Sequence, residues 1–289
     1  MKAYDLSDKI ILITGATSGI GKETARQLAL DGAHAIILGR NKEKTLAVQK
    51  ELIADTDNKN IDILIADISS LADVRKVAAE FNKKYPRLDI LVNNAGLVMG
   101  PKREISKDGF EMTFASNHLG HFLLTQLLLG KLKKSKSARI VNVSSKAHTA
   151  GVFDVKDFNL EKSYSAFKAY GNSKLDNILF TQELARRLKY HKLKITTNCL
   201  HPGVISTGFG QNSGWLIKSL VTLIRPMMIT PEEGALTTLY LVRSIEGGSV
   251  SGLYFDKEKQ ASTSSKHVTD VNAKALWKLS EKLTGVKFL

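Results

Sequence analysis

Lys9-Ile10-Ile11-Leu12-Ile13-Thr14-Gly15-Ala16-Thr17-Ser18-Gly19-Ile20-Gly21 is the stretch that decides the fold. Its first half is a short, uninterrupted apolar run rich in Ile, the pattern of a parallel strand buried on both faces. Its second half is a glycine-rich turn, and Lys22 to Leu30 then read as a helix ending near Gly32. Such a turn between strand and helix lets a pyrophosphate lie against main-chain N–H groups at the positive end of the helix. The spacing is G-x-x-x-G-x-G and not the commoner G-x-G-x-x-G, so a longer loop is expected. From this stretch alone, an ordinary tight turn is the competing reading.

Outward from it, strands and helices alternate. Ala33 to Gly39 reads as a second buried strand ending at Arg40-Asn41, Asn41 to Ala54 as a helix, and Ile61 to Ala66 as a third strand with Asp67 at its end. Leu71 to Tyr85 follows as a helix, and Leu88 to Val92 is a strand that runs into Asn93-Asn94-Ala95-Gly96. A long helical region, Gly109 to Lys134, precedes a fifth strand, Arg139 to Val143, which delivers Ser144-Ser145. An irregular stretch leads to the helix Phe167 to Leu188. The sixth strand, Lys194 to Leu200, ends in His201-Pro202-Gly203, and the tail holds a last strand, Gly252 to Phe255, and a helix, Val268 to Leu283. This alternation predicts an α/β fold: one Rossmann-type, doubly wound parallel sheet of about seven strands with helices on both faces. In such a sheet the ligand crevice lies at the carboxyl ends of the strands, where Gly15, Arg40, Asp67, Asn93, Ser145 and Pro202 should converge. A single domain spans 1–289, with a core at 9–205, an apolar segment at 206–229 and C-terminal helices with the last strand at 230–289.

Within the Phe167 to Leu188 helix, Tyr170-Gly171-Asn172-Ser173-Lys174 places a phenol and an ammonium four residues apart, on one face. A phenol titrates near ~10 and exchanges protons poorly at neutral pH unless something stabilises its anion. A fixed ammonium one turn away does so. Arg40 stands where dinucleotide sites choose their cofactor: a carboxylate there bonds a ribose 2′-hydroxyl, whereas a guanidinium pairs with a 2′-phosphate.

The chain has 289 residues, 43% of them hydrophobic, and a formal net charge of +14. The basic residues are spread through helix-like segments, the pattern of a solvated surface, and no nucleic-acid module is recognisable, so no specific nucleic-acid partner is expected. The single cysteine, Cys199, falls in an apolar run and reads as an inert core thiol. Met1 to Asp8 contains no apolar stretch of signal or membrane-spanning length, and Trp215 to Ile229 is broken by Lys218, Arg225 and Pro226. His118 and His121 lie three apart but lack accompanying ligands, so no metal is expected.

The ordered set Thr14-Gly15-x-x-x-Gly19-x-Gly21, Asp67, Asn93-Asn94-Ala95-Gly96, Asn117, Ser145, Tyr170-x-x-x-Lys174 and Pro202-Gly203-x-x-x-Thr207 closely resembles the short-chain dehydrogenase/reductase family. Leu38-Gly39-Arg40-Asn41, Ser116 to Phe122, Ser173 to Leu184 and Thr230 to Gly234 are most similar to its retinol dehydrogenase-like, NADP-dependent branch. Many membrane-bound members of that branch carry an N-terminal hydrophobic anchor, which this sequence does not show.

The resemblance implies that Tyr170 exchanges the proton and that Lys174 lowers its pKa and meets the nicotinamide ribose. Ser145, with Ser144 as fallback, would fix the substrate oxygen, and Asn117 would hold a relay water. Gly15, Thr17, Ser18, Gly19, Ile20, Gly21, Arg40, Asn41, Asp67, Ile68, Asn94, Ala95, Gly96, Tyr170, Lys174, Pro202, Gly203, Val204 and Thr207 would bind NADP(H). The segment 206–229 would form a substrate lid, and its apolar character points to a lipophilic aldehyde, ketone or alcohol. Contact with a membrane surface and plain core packing are its other readings. The activity expected is NADP(H)-dependent interconversion of a lipophilic carbonyl and its alcohol, retinal and retinol among the candidates. The alternatives are a non-catalytic NADP(H)-binding sensor or scaffold and a peripheral membrane-binding protein. Cytoplasmic residence, with or without peripheral membrane contact, and a homodimer or homotetramer paired through the helices of Asn117 and Tyr170 complete the expectations.

Overall fold

The apolar runs become the inner strands of one sheet. The computed structural model of the protein describes residues 4–203 and 229–289. Within them β1 (Ile10–Thr14), β2 (His34–Gly39), β3 (Ile61–Ile65), β4 (Ile90–Asn93), β5 (Ala138–Val143), β6 (Ile195–His201) and β7 (Tyr254–Asp256) run parallel. β8 (Lys259–Gln260) is antiparallel to β7, and the order is β3-β2-β1-β4-β5-β6-β7-β8.

Successive residues of a strand face opposite sides. Ile10 and Leu12 therefore enter one core with Phe81 of α3 (Leu71–Lys84), Phe122 of α5 (Gly120–Leu132) and Phe180 of α6 (Ala166–Tyr190). Ile11 and Ile13 enter the other with Leu28 of α1 (Gly19–Leu30), Leu52 of α2 (Lys42–Thr56) and Leu239 of α7 (Pro231–Arg243). β1 pairs with β2 on one side and β4 on the other, so the strand order reverses there and opens the crevice above Thr14 and Asn93. Cys199 is buried among apolar side chains, and burial pushes its thiol up to about 12.

Three elements differ from the sequence reading. α1 starts at Gly19, ahead of Lys22, because the second half of the turn is already helical. The region from Gly109 is interrupted. Gly109 has φ +84, and a short helix, α4 (Met112–Phe114), begins only after the Glu111 carboxylate has accepted the N–H groups of Thr113 and Phe114 at 2.9 and 2.7 Å. A π-helical turn, Ala115–Leu119, then precedes α5. β8 was hidden in a polar stretch. Its turn puts Lys257 and Glu258 at φ 49 and 62, a left-handed pair that glycine or asparagine ordinarily announces.

The C-terminal residues bear on assembly. After α8 (Ile245–Ser249) and the β7–β8 hairpin, α9 (Asp270–Thr284) packs along α6. Trp277 lies 5.2 Å from the Phe122 ring and 6.0 Å from that of Phe180, with the Arg187 guanidinium 4.4 Å from the indole centre. Every residue of α6 from Ser173 to Thr181 is buried within the one chain. α9 thus covers part of α6 from within the chain.

Candidate active site

Glycine is required where the turn meets the end of β4. Gly15 has φ +66, and a Cβ there would lie 2.7 Å from Ala95 Cα; a Cβ on Gly21 would lie 2.4 Å from both Asn94 Nδ2 and the Gly15 carbonyl. Asn94 pins the turn, donating its N–H to Thr14 Oγ1 at 2.9 Å and its Nδ2 to the Thr14 carbonyl at 2.8 Å. Asn93 turns into the sheet instead, where Nδ2 donates to Asn142 Oδ1 at 2.8 Å and to Thr125 Oγ1 at 3.1 Å. Ser18 takes the N-cap position of α1 without a side-chain capping bond, so the first N–H groups of α1 stay open to an anion.

The other residues expected to bind cofactor divide by what their side chains already do. Thr17 sits against the end of β2, with its methyl 2.5 Å from where a Gly39 Cβ would stand, and Arg40 is exposed just beyond. Asn41 caps α2 by accepting the Lys44 N–H at 2.8 Å. Asp67 Oδ1 accepts both the N–H and the hydroxyl of Ser69, at 3.0 and 2.7 Å. Ile20 and Ile68 put their side chains into the two cores and leave only main chain to a ligand. Pro202 and Gly203 follow β6, Gly203 at φ +97 facing the Ile229 side chain. Val204, Thr207 and the segment expected to form a lid, up to residue 228, lie outside the described residues.

At the carboxyl end of β5 the two serines take different paths. Ser144 is buried and donates to the Lys174 carbonyl at 2.7 Å, so its hydroxyl is committed to holding α6. Ser145 caps the 3₁₀ turn Lys146–Ala150, accepting the Ala147 N–H at 3.2 Å, and its hydroxyl reaches Tyr170. Lys174 Nζ lies 5.5 Å from the Tyr170 ring centre and donates to the Val143 carbonyl at 3.0 Å. It also flanks Gly96, 3.3 Å from where a Cβ would be, with Asn117 Oδ1 3.6 Å from the same point. Burial raises the Tyr170 phenol to about 12, with the Ser145 hydrogen bond acting the other way, and burial lowers Lys174 to about 8. The Lys174 ammonium is held by the Val143 carbonyl, and burial is the leading cause of both shifts.

Asn117 sits in the π turn, a geometry that recurs at functional sites. Its side chain is anchored at both atoms: Oδ1 accepts the Leu97 N–H at 2.9 Å, and Nδ2 donates to the Leu97 carbonyl and to Ser173 Oγ, each at 3.0 Å. Ser173, given no role in the sequence reading, donates in turn to the Tyr170 carbonyl at 2.8 Å. Its position three after Tyr170 on the same helix was the available signal. His201 accepts the Lys146 N–H on Nδ1 at 3.2 Å, and burial lowers it to about 4, as befits a packed strand-end residue. His118 and His121 diverge, His118 to Ser280 at 2.8 Å and His121 to Thr14 at 2.9 Å.

A glycine-lined anion cradle at the switch point of a parallel sheet, beside a Tyr, Ser and Lys cluster, defines a dinucleotide-binding oxidoreductase of the Rossmann class. Residues 9–214 match the family described as short chain dehydrogenase, and the chain belongs to it. It is 40% identical to human retinol dehydrogenase 13 over 285 residues, covering 96% of this chain and 85% of that protein. Among solved structures, an uncharacterized protein from Mycobacterium paratuberculosis superposes with a TM-score of 0.81 at 31% identity, over 99% of this chain and 97% of that one. A short chain dehydrogenase from Shigella flexneri, complexed with NADP, gives 0.70 at 28% identity, over 88% of this chain and 99% of that one.

Proposed function

We propose that the protein is an NADP(H)-dependent oxidoreductase that interconverts a lipophilic aldehyde or ketone and its alcohol. The observation that carries this reading is the juxtaposition of Tyr170, Ser145 and Lys174 beside Gly96 and the glycine cradle at one sheet edge. The cradle fits a dinucleotide: Gly15 and Gly21 leave room that a Cβ would fill, Ser18 leaves the α1 N-terminus open, and exposed Arg40 stands ready for a 2′-phosphate. The relative complexed with NADP and the name of retinol dehydrogenase 13 support the cofactor and the apolar substrate class.

Bound NADP(H) would supply or accept the hydride. Reduction of a carbonyl develops negative charge on its oxygen, which Ser145 would hold by hydrogen bond while Tyr170 delivers the proton. A phenol at about 12 remains protonated through the physiological range, so reduction finds the donor ready. Oxidation needs the phenolate, for which a charged Lys174 released from Val143 toward the ribose would be the stabilising partner. Asn117 would fix the position of Tyr170 through Ser173.

The test is NADPH consumption over aldehydes and ketones graded from short and polar to long and apolar, with Tyr170→Phe as control. Turnover should concentrate on the apolar members, and the variant should lose at least about 100-fold in kcat while still binding NADPH. Retention of most activity by Tyr170→Phe would assign the proton to another group.

A further inference from the structure

His121 has no part in the proton chemistry above, yet it occupies a fully enclosed place between the cofactor cradle and the catalytic helix. Its Nδ1 lies 3.1 Å from the Asn117 main-chain carbonyl and its Nε2 lies 2.9 Å from Thr14 Oγ1. A carbonyl oxygen only accepts, so Nδ1 must carry the hydrogen. Burial lowers the imidazole to about 4, which leaves it neutral, and a neutral ring with its hydrogen on Nδ1 has an acceptor at Nε2. Thr14 meets that requirement from its own side. Its Oγ1 accepts the N–H groups of Asn94 and Ala95, each at 2.9 Å, which uses its two lone pairs. Its one hydrogen then goes to Nε2, the alternative acceptor, the Val92 carbonyl, being farther at 3.4 Å.

We propose that His121 is a positioning residue that, in its Nδ1–H tautomer, ties the nucleotide-binding turn to the helix of the catalytic tyrosine. The bonds run one way without a break: Thr14 Oγ1 to His121 Nε2, His121 Nδ1 to the Asn117 carbonyl, Asn117 Nδ2 to Ser173 Oγ at 3.0 Å, and Ser173 Oγ to the Tyr170 carbonyl at 2.8 Å. At its origin Thr14 also receives the two N–H groups that place Asn94 and Ala95 against Gly15. No member can turn without leaving a buried donor or acceptor unpaired, so the cradle and the phenol keep one relative position. Hydride and proton must arrive at one bond together, and that geometry is what the bridge maintains. The inference rests on the oxidoreductase reading for its catalytic consequence, but not for the tautomer.

The experiment has two independent arms. Histidine-selective ¹⁵N NMR of the wild-type protein should show His121 neutral and protonated on Nδ1; an Nε2–H tautomer or an imidazolium at neutral pH would overturn the bridge. His121→Phe keeps a ring but neither hydrogen bond, whereas His121→Gln offers one donor and one acceptor. The Phe variant should bind NADPH about tenfold more weakly and lose about 10- to 100-fold in kcat with little change in substrate KM, and the Gln variant should recover most of both. Wild-type kcat and NADPH affinity in His121→Phe, or a Gln variant as impaired as the Phe variant, would also overturn it. If His121→Phe does not fold, Thr14→Val and its conservative partner Thr14→Ser make the same comparison from the other end of the bond. A wild-type protein that reduces no carbonyl would refute the functional reading, while the NMR and NADPH-affinity measurements would still decide the bridge.

Discussion

Arg40 and Lys174 are single charges whose settings make opposite demands. Arg40 is exposed at the end of β2, where it costs the fold nothing to remain free for a phosphate. Arg40→Ala should therefore weaken NADPH binding by about 10- to 100-fold, the scale of a charge-assisted hydrogen bond, and leave NADH binding within about twofold; cofactor fluorescence titration would show it, and equal losses would remove the 2′-phosphate assignment. Lys174 is buried, and burial lowers it to about 8. If NADPH selects the ammonium, affinity should be flat below pH 8, where Lys174 is already charged, and fall by up to about tenfold per unit above it as the proton is lost. Lys174→Met should flatten that dependence. Spacing singled out both positions in the sequence, and the ordered set of motifs around Tyr170-x-x-x-Lys174 is what gave that pair its weight. The choice between Ser144 and Ser145 was not open to the same reasoning, because adjacent strand-end residues point in opposite directions and only the packing of α6 shows that Ser144 is the one consumed by the Lys174 carbonyl.

At the scale of elements, the strands were the most legible because their burial on both faces leaves an apolar run with no alternation, as in β1. The segment before α5 was the least legible. Three different devices meet there, a left-handed Gly109, a cap made by the side chain of Glu111, and a π turn, and none of them interrupts the helical spacing of the apolar residues. α9 read correctly as a helix, but what its apolar face covers could not be inferred, since Trp277 meets Phe122 and Phe180 from far along the sequence. Trp277 is almost wholly buried, so Trp277→Ala should cost about 3–5 kcal/mol in chemical denaturation. A much smaller loss would mean that α9 is only loosely held to α6.

At the scale of the whole molecule, α9 is the element that bears on assembly. Because α9 packs along α6, a pair of subunits that used this same face of α6 would have to displace a helix anchored by Trp277 and by the His118–Ser280 hydrogen bond. In sedimentation velocity, a serine-to-alanine change at Ser280 should leave the wild-type distribution of species unaltered; new association in that variant would show that the covered face can open to a partner. Among the described residues no helix is long and apolar enough to cross a membrane. What the sequence by itself determined is the order of elements and residues along the chain: buried parallel strands, a glycine turn ahead of a helix, a phenol and an ammonium one helical turn apart, and an arginine just beyond the second strand. These are local, set by period and by neighbours within a few residues. Only the tertiary structure decided that the Ser144 hydroxyl is spent on the Lys174 carbonyl, that the Asn117 side chain bonds Leu97 and Ser173, that His121 lies between Thr14 and Asn117, and that α9 packs along α6. Each of these depends on side-chain direction and on contacts between segments far apart in the chain, which no local pattern records.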